Sequence, residues 1–380
     1  MIHSIRINNF KSIKDVSVDL SPVTVFVGRS GTGKSNFLEA IVTLKRLVAN
    51  AGNLSVLGHN WPSHFGEKGQ RFLFECRFSV TGINKSFSYF LSNNKHTGHG
   101  GNVWGIEEKL ALGDETLYHH STGKQNVSRW IHPPDVMNVP KPKGILLGKL
   151  PALSEAVIAF TAITSGLGLY DFSDTVLTVG NANSGGGLLP DATNYLNVLK
   201  LISEDLRDVG LKKRLVATLR RVNPTIASVE LDNLQSPRSV VVAHRFHQDA
   251  KLEQLTLGQE SAGVRRFYAH LLALYQQPPK QTLMFEHPED GIHPGAMSLL
   301  AEEFKDAPDE GRGQVLITTH NPMLLDHFSA EQIRVVDLDN SETVIGPIEE
   351  SQQEAIRQDL LDAGELLTTD PARIQKVDQQ

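Results

Sequence analysis

Apolar positions in the first stretch of the chain alternate or run as β-branched residues. IRINNF, VSVDL and VTVFVG, broken by Lys-Ser and Ser-Pro, predict three short strands, the third ending at Gly28. Behind GRSGTGKS, the residues Phe37, Leu38, Ile41, Leu44 and Val48 recur at helical spacing and predict a helix with one apolar face. The order is strand, glycine loop, helix. Residues 50 to 70 are rich in Gly, Asn, Ser and His and predict a loop. From about 71 to 133, RFLFECRFSV, KSFSYFLS, NVWGIEEKL, ETLYHH and NVSRWI predict strands separated by turn residues such as NNKHTGHGGN, which together make a small antiparallel β lobe.

HPPDVMNVPKPKG marks a boundary. After it LSEAVIAFTAI, NYLNVLKLI and LKKRLVATLRRV predict helices, and SGGG at 184 to 187 predicts a loop. No stretch from 50 to 245 keeps an a/d heptad, and no internal repeat is evident. Near 238 strands return with RSVVVAHRF and KLEQLTL. Then SAGVRRFYAHLLALY (helix), QTLMFEH (strand), PGAMSLLAEEF (helix), GQVLITTH (strand), NPMLLDHF (helix) and EQIRVVDLD (strand) alternate as βαβ units, which implies a parallel sheet covered by helices.

The expected fold class is α/β. The expected organisation is a core made of residues 1–60 and 238–349, an antiparallel β lobe at 61–145, a helical lobe at 146–237, and a C-terminal helical tail at 350–380. With 380 residues the chain can bury a substantial core. Hydrophobic residues make up 40% and charged residues 21%, and a net charge of −6 argues against a surface that coats nucleic acid generally, while leaving room for a local basic groove. The single Cys76 excludes an intramolecular disulfide or a Cys-rich metal site. No apolar run approaches the roughly 18 residues of a membrane span, and MIHSIRINNF alternates like a strand and not like a signal peptide, so the expected location is cytoplasmic, with no membrane contact.

Chemistry enters at the glycine loop. Gly28-Arg29-Ser30-Gly31-Thr32-Gly33-Lys34-Ser35 satisfies G-x-x-x-x-G-K-[ST] and has the strand before and helix after that the motif requires. Its glycines let backbone N–H groups turn toward phosphate oxygens, the helix that follows directs its positive end at them, and Lys34 can reach the outer phosphates. Ser35 is the expected Mg²⁺ ligand from the loop. A hard oxygen ligand is needed opposite, and Glu286, closing the apolar run Leu283-Met284-Phe285, stands in that position. His320 closes Val315-Leu316-Ile317-Thr318-Thr319, at the carboxyl end of a parallel strand where ligands bind, and can hydrogen-bond a γ-phosphate or a water.

GRSGTGKS, ESAGVRR, LMFEHPEDGIHP and LITTHNP, in that order, resemble the ABC-type ATPase heads of the RecF, SMC and OLD group, and most of all AAA-family ATPases that lack a fused nuclease domain. IRINNFKSIKDVSVDLSPVTVFVG, LPDATNYLNVLKLI and DLLDAGELLTTD are similar to the group's opening strands, mid-chain helix and closing segment. The resemblance implies a P-loop ABC-type head with a mostly parallel core sheet, an antiparallel β lobe and a helical lobe, and it implies ATP and Mg²⁺. It makes Gly28 through Asn36 the phosphate-binding segment, Glu286 the Walker B acid and metal ligand beside Ser35, and His320 the switch histidine. Ser261 and Gly263 become the signature, offered across a dimer to the opposite nucleotide. Leu255-Thr256-Leu257-Gly258-Gln259 also looks like a signature, but the one at Ser261 opens its helix at once. Lys11-Ser12 sits where related heads approach the nucleotide, and the glutamine-loop residue is not placed.

His287 departs from the group's pattern, which has a second acid there to polarise the attacking water. A neutral histidine can act as a general base but brings no negative charge. Glu289, three residues past Glu286, is the other candidate for the water. Two functions are therefore expected: a slow ATPase that dimerises around ATP and signals to a partner, or a nonhydrolytic ATP-binding scaffold that holds a partner protein. The expected partner is DNA or an effector encoded separately, since the chain carries no nuclease signature, and the resemblance implies a setting in DNA repair or antiviral defence.

Other candidates read as ordinary surface or core. The histidine clusters (His96 with His99, His119 with His120, His244 with His247) lack a second pair at zinc-like spacing, and His293 with Pro294 resembles the group's dimer-facing loop. Lys212, Lys213, Arg214, Arg220 and Arg221 form a basic stripe best read as a solvated helix face. Arg265 and Arg266 follow the signature, where they are candidates to meet phosphate or the opposite subunit.

Overall fold

The computed structural model describes residues 1–50, 71–98, 101–122, 128–131, 145, 147, 154–178, 187–204, 210–232, 239–246 and 251–375. The loop at 51–70, the Pro cluster at 132–144, Ser184 to Gly186, His99 and His247 lie outside the described residues. In chain order the elements are β1 (Ile2–Phe10), β2 (Ile13–Asp19), β3 (Val23–Val27), α1 (Lys34–Ala49), β4 (Leu73–Phe78), β5 (Phe87–Gly98), β6 (Gly101–Leu112), β7 (Glu115–Thr122), β8 (Ser128–Ile131), α2 (Ser154–Ile163) and β9 (Leu167–Tyr170). They continue with α3 (Tyr195–Glu204), α4 (Leu211–Val222), β10 (Ile226–Asp232), β11 (Ser239–His244), β12 (Glu253–Thr256), α5 (Ala262–Tyr275), β13 (Thr282–Glu286), α6 (Met297–Asp309), β14 (Gln314–Thr318), α7 (Pro322–Leu325), β15 (Ile333–Asp339), β16 (Glu342–Pro347) and α8 (Glu350–Arg357).

The central sheet has six strands in the order β16-β15-β3-β14-β13-β9. All neighbours run parallel except β16, which turns back on β15. β3 and β14 are buried along their whole length and β13 up to Glu286, as continuous apolar runs in a doubly covered sheet should be. Alternation along these strands divides the interior. Val25, Val27, Leu283, Phe285 and Ile317 face a core built with α3, α4, α5 and α6, whereas Phe26, Met284, Leu316 and Val336 face a second core shared with α1 and α2. Burying each of these side chains contributes about 2 kcal/mol.

The second core is closed on its far side by an antiparallel sheet of seven strands, β2-β1-β4-β5-β6-β7-β8. The N-terminal hairpin β1–β2 therefore belongs to the same sheet as the strands of the β lobe, with β1 paired to β4 from Ile5↔Cys76 to Asn8↔Leu73. Helix α1 lies between the sheets, with Phe37, Leu38, Ile41, Leu44 and Val48 buried as their spacing predicts. β11 and β12 do not join the parallel sheet: β11 pairs antiparallel with both β10 and β12 in a separate three-stranded sheet, whose β10 lies beside α3 and α4. No helix among the described residues is long and apolar enough to cross a membrane.

Candidate nucleotide site

The parallel pairing β15-β3-β14-β13 sets the carboxyl ends of these strands side by side, with Thr318 opposite Phe26 on one flank and Glu286 on the other. Three loops leave that edge: the glycine loop after β3, the turn at 287–292 after β13, and His320-Asn321 after β14. A cleft of about 230 Å³ opens among them, lined by Ser30, Gly31, Gly33, Lys34, Ser35, Asn36, His287 and His320. Gly28 and Arg29 line the groove on the other side of the loop, which His320 shares.

The loop has the features an anion requires. Helix α1 starts without a side-chain cap and without an acid in its first turn, so its positive end is left for a ligand. Gly33 has φ 107° and sits so close to its neighbours that a β-carbon there would lie 2.1 Å from Thr343 Oγ1 and 2.9 Å from Ser12 Oγ. Those two hydroxyls brace the loop from behind. Ser12 and Thr343 are hydrogen-bonded at 2.7 Å, Thr343 Oγ1 donates to the Thr32 carbonyl at 2.8 Å, and Asn36 Nδ2 donates to Ser12 Oγ at 2.7 Å. Lys34 folds back, its Nζ donating to the carbonyls of Gly28 (2.8 Å) and Arg29 (2.9 Å). Burial lowers its pKa to about 8 despite the charge of Glu289, so an incoming phosphate would restore to the ammonium a counter-charge it lacks.

Glu286 ends β13 half-buried, and His287, not Glu286, is the residue of that strand end that lines the cleft. His287 has a left-handed backbone with φ 44°, and its N–H donates to the Thr318 carbonyl at 3.0 Å. Its ring stacks on that of His320, the centroids 4.9 Å apart and the planes 8° from parallel. Its Nδ1 is 3.8 Å from Glu289 Oε1, which raises its pKa against the opposing effect of burial. The His320 pKa is lowered, by burial first and then by Lys34 and His287. Glu289 does not line the cleft. Its Oε1 accepts from Thr319 Oγ1 (2.7 Å) and from the N–H of His320 (3.0 Å). Burial works against its charge, but His287, the backbone and Thr319 outweigh it, and the carboxyl pKa is lowered.

Ser261 and Gly263 stand apart from this cleft. Ser261 caps α5, its hydroxyl accepting from the Val264 N–H at 3.3 Å, while Gly258 lies in a separate short 3₁₀ turn at 257–259. Arg265 and Arg266 turn inward onto their own chain: Arg265 donates to the carbonyls of Val176 (3.1 Å), Asp174 (2.6 Å) and Glu260, and Arg266 pairs with Asp174 at 3.0 Å. The basic stripe on α4 is partly paired, with Lys212 on Glu230 at 2.6 Å and Arg221 on Glu302 at 2.7 Å, while Arg220 donates to the carbonyls of Ile226 and Ala227. Among the histidines, His244 bonds Glu260 (2.6 Å), His119 is 3.3 Å from Glu107, and His293 accepts from the Gly295 N–H. Thr343 and Thr319 are site residues that sequence patterning does not single out, because their role depends on strands that meet only in the fold.

Residues 1–111 match the model of an AAA ATPase domain, and residues 187–326 match that of an AAA domain described as a putative AbiEii toxin of a type IV toxin–antitoxin system. The DNA replication and repair protein RecF of Oenococcus oeni is 30% identical over 110 residues, which are 27% of this chain, and the match spans only 29% of that relative's length. An SMC head bound to the C-terminal winged-helix domain of ScpA superposes with a TM-score of 0.58 at 13% identity, covering 93% of this chain and 99% of the other. The Smc head of Pyrococcus furiosus, with an extended coiled coil and bound to the C-terminal domain of ScpA, gives 0.50 at 14% identity, covering 94% and 99%. With the phosphate loop, the carboxyl-edge cleft and these matches together, the chain is similar to the ABC-type ATPase heads of the RecF and SMC group.

Proposed function

We propose that the protein binds ATP with Mg²⁺ in the cleft, closes as a dimer around it, hydrolyses it slowly and passes the nucleotide state to a partner. The observation that carries this reading is the convergence on one cleft of an uncapped helix start, Lys34 and the two stacked imidazoles. Phosphate oxygens would meet the N–H groups of the loop, and Lys34 would exchange its two carbonyl partners for them. Ser35 and Glu286 would hold the Mg²⁺, which supplies neutralisation of charge on the β- and γ-phosphate oxygens. His320 would contact the γ-phosphate or the attacking water. Ser261 and Gly263, on the exposed start of α5, would meet the nucleotide of the opposite subunit.

Phosphoryl transfer depends mainly on positioning and electrostatics, so a histidine in place of the usual second acid slows hydrolysis without abolishing it. The same residue supports the second reading, a scaffold that holds ATP without turnover. A separately encoded partner is favoured because the SMC head it superposes on is bound to the winged helix of ScpA. The RecF match supports a role in DNA repair, and the toxin–antitoxin description of the other family model supports one in defence.

The test is the mass in solution of the purified protein without nucleotide, with ATP–Mg²⁺ and with ADP–Mg²⁺, while phosphate release is followed in the same samples. A dimer that forms with ATP and decays as phosphate appears supports the hydrolytic switch. A stable ATP-held assembly without phosphate supports the scaffold. A monomer in all samples, with no phosphate, overturns both.

A further inference from the structure

We propose that Glu289 is a positioning residue that ties the switch segment at His320 to the signature helix α5 of the same subunit, and is not the base that activates water. This deepens the hydrolysis reading, and only its kinetic arm rests on that reading.

Glu289 is nine-tenths buried, outside the cleft, and its Oε1 already accepts two hydrogen bonds from the segment that carries the switch histidine, from Thr319 Oγ1 and from the His320 N–H. A carboxylate held this way fixes the backbone on which His320 stands. The same residue opens a tight turn. Its carbonyl accepts from the Ile292 N–H at 3.1 Å, and the Asp290 N–H donates to the His287 carbonyl at 3.1 Å. The tip of that turn, Gly291 with φ 67°, is pressed against α5: a β-carbon on Gly263 would lie 2.8 Å from the Gly291 carbonyl oxygen, and one on Gly291 would lie 2.5 Å from Arg266 Nη1. Both contacts admit only glycine without displacement. Arg266 is itself held by Asp174 at 3.0 Å. A shift of His320 toward a bound nucleotide therefore displaces Glu289, the turn moves with it, and the start of α5 follows. The nucleotide of one subunit would in this way adjust the Ser261–Gly263 surface that the subunit offers elsewhere.

The experiment compares wild type, E289Q and E289A by hydrogen–deuterium exchange, by ATP affinity and by steady-state phosphate release. The glutamine carbonyl can still accept from Thr319 and His320 but carries no charge. E289Q is expected to match wild type in exchange and to keep turnover within about threefold. E289A is expected to speed exchange at 318–321 and, across the glycine contact, at 261–266, and to lower kcat by about tenfold with KM for ATP changed less than about twofold. Loss of turnover in E289Q equal to that in E289A would overturn the proposal in favour of a base. Faster exchange confined to 318–321 would overturn the tie to α5. Should E289A fail to fold, Thr319→Val removes one of the two donors and is expected to loosen the same two segments. If wild type releases no phosphate, the hydrolysis reading falls and the exchange data still decide the tie.

Discussion

His287 and His320 lie ring on ring at the mouth of the phosphate cleft, 4.9 Å between centroids, although one follows β13 and the other β14. The left-handed backbone of His287 brings the rings together. Replacing His287 with Glu puts a carboxylate where related heads carry one, and phosphate release is expected to rise by about tenfold or more, a modest share of what a positioned base can contribute. Release unchanged or lower in H287E would show that the base position does not limit the rate.

Lys34 is buried, and among the described residues its partners are the carbonyl oxygens of Gly28 and Arg29 in its own loop. Lys34→Ala is expected to leave the melting temperature close to that of wild type and to weaken ATP binding by about 10- to 100-fold, the size of a hydrogen bond made by a charged group. Calorimetric titration with ATP–Mg²⁺ measures this. Undiminished affinity would place the nucleotide elsewhere.

Gly33→Ala meets Thr343 Oγ1 at 2.1 Å and forces a β-carbon into a left-handed backbone. A stability loss of about 2–3 kcal/mol is expected from strain and the displaced hydroxyl. Denaturation with urea checks it, and Gly31→Ala serves as control: its φ is also positive but its β-carbon would meet nothing within 4 Å. The control is expected to lose about 1 kcal/mol, from the backbone alone.

His270 is buried among Phe172, Phe285 and Phe304, and burial lowers its pKa to about 4. Its unfolded pKa is about 6.5, so the unfolded chain takes up a proton that the folded chain refuses. The stability this residue permits is present above pH 6.5 and is lost as pH falls toward 4, up to about 3 kcal/mol. His270→Leu is expected to flatten the fall in melting temperature across that interval. An unchanged slope would assign the acid sensitivity to other groups.

The phosphate loop, its helix and the three parallel strands were legible because each is a local pattern: Gly28 to Ser35, the 3.6-residue repeat of α1, and the unbroken apolar runs of β3, β13 and β14. Short strands at the rim were not. β9, β10 and β16 carry weak patterns and exist through their pairing with β13, β11 and β15. For the same reason β11 and β12 read as strands without a sheet to join, since β11 pairs with β10 and β12 only in the fold. The charges on α4 read as a solvated helix face, and the ion pairs of Lys212 with Glu230 and of Arg221 with Glu302 did not show, because both partners lie on other elements. The stacking of His287 on His320 depends on a positive φ at a non-glycine residue, which no propensity announces.

The hydrogen bond between Ser12 and Thr343 joins residues 331 positions apart directly behind the phosphate loop. The glycine loop is made early, yet the hydroxyl that supports the Thr32 carbonyl lies 311 positions further along the chain. A fragment that carries the whole GRSGTGKS motif but stops short of Thr343 would lack the brace that shapes it.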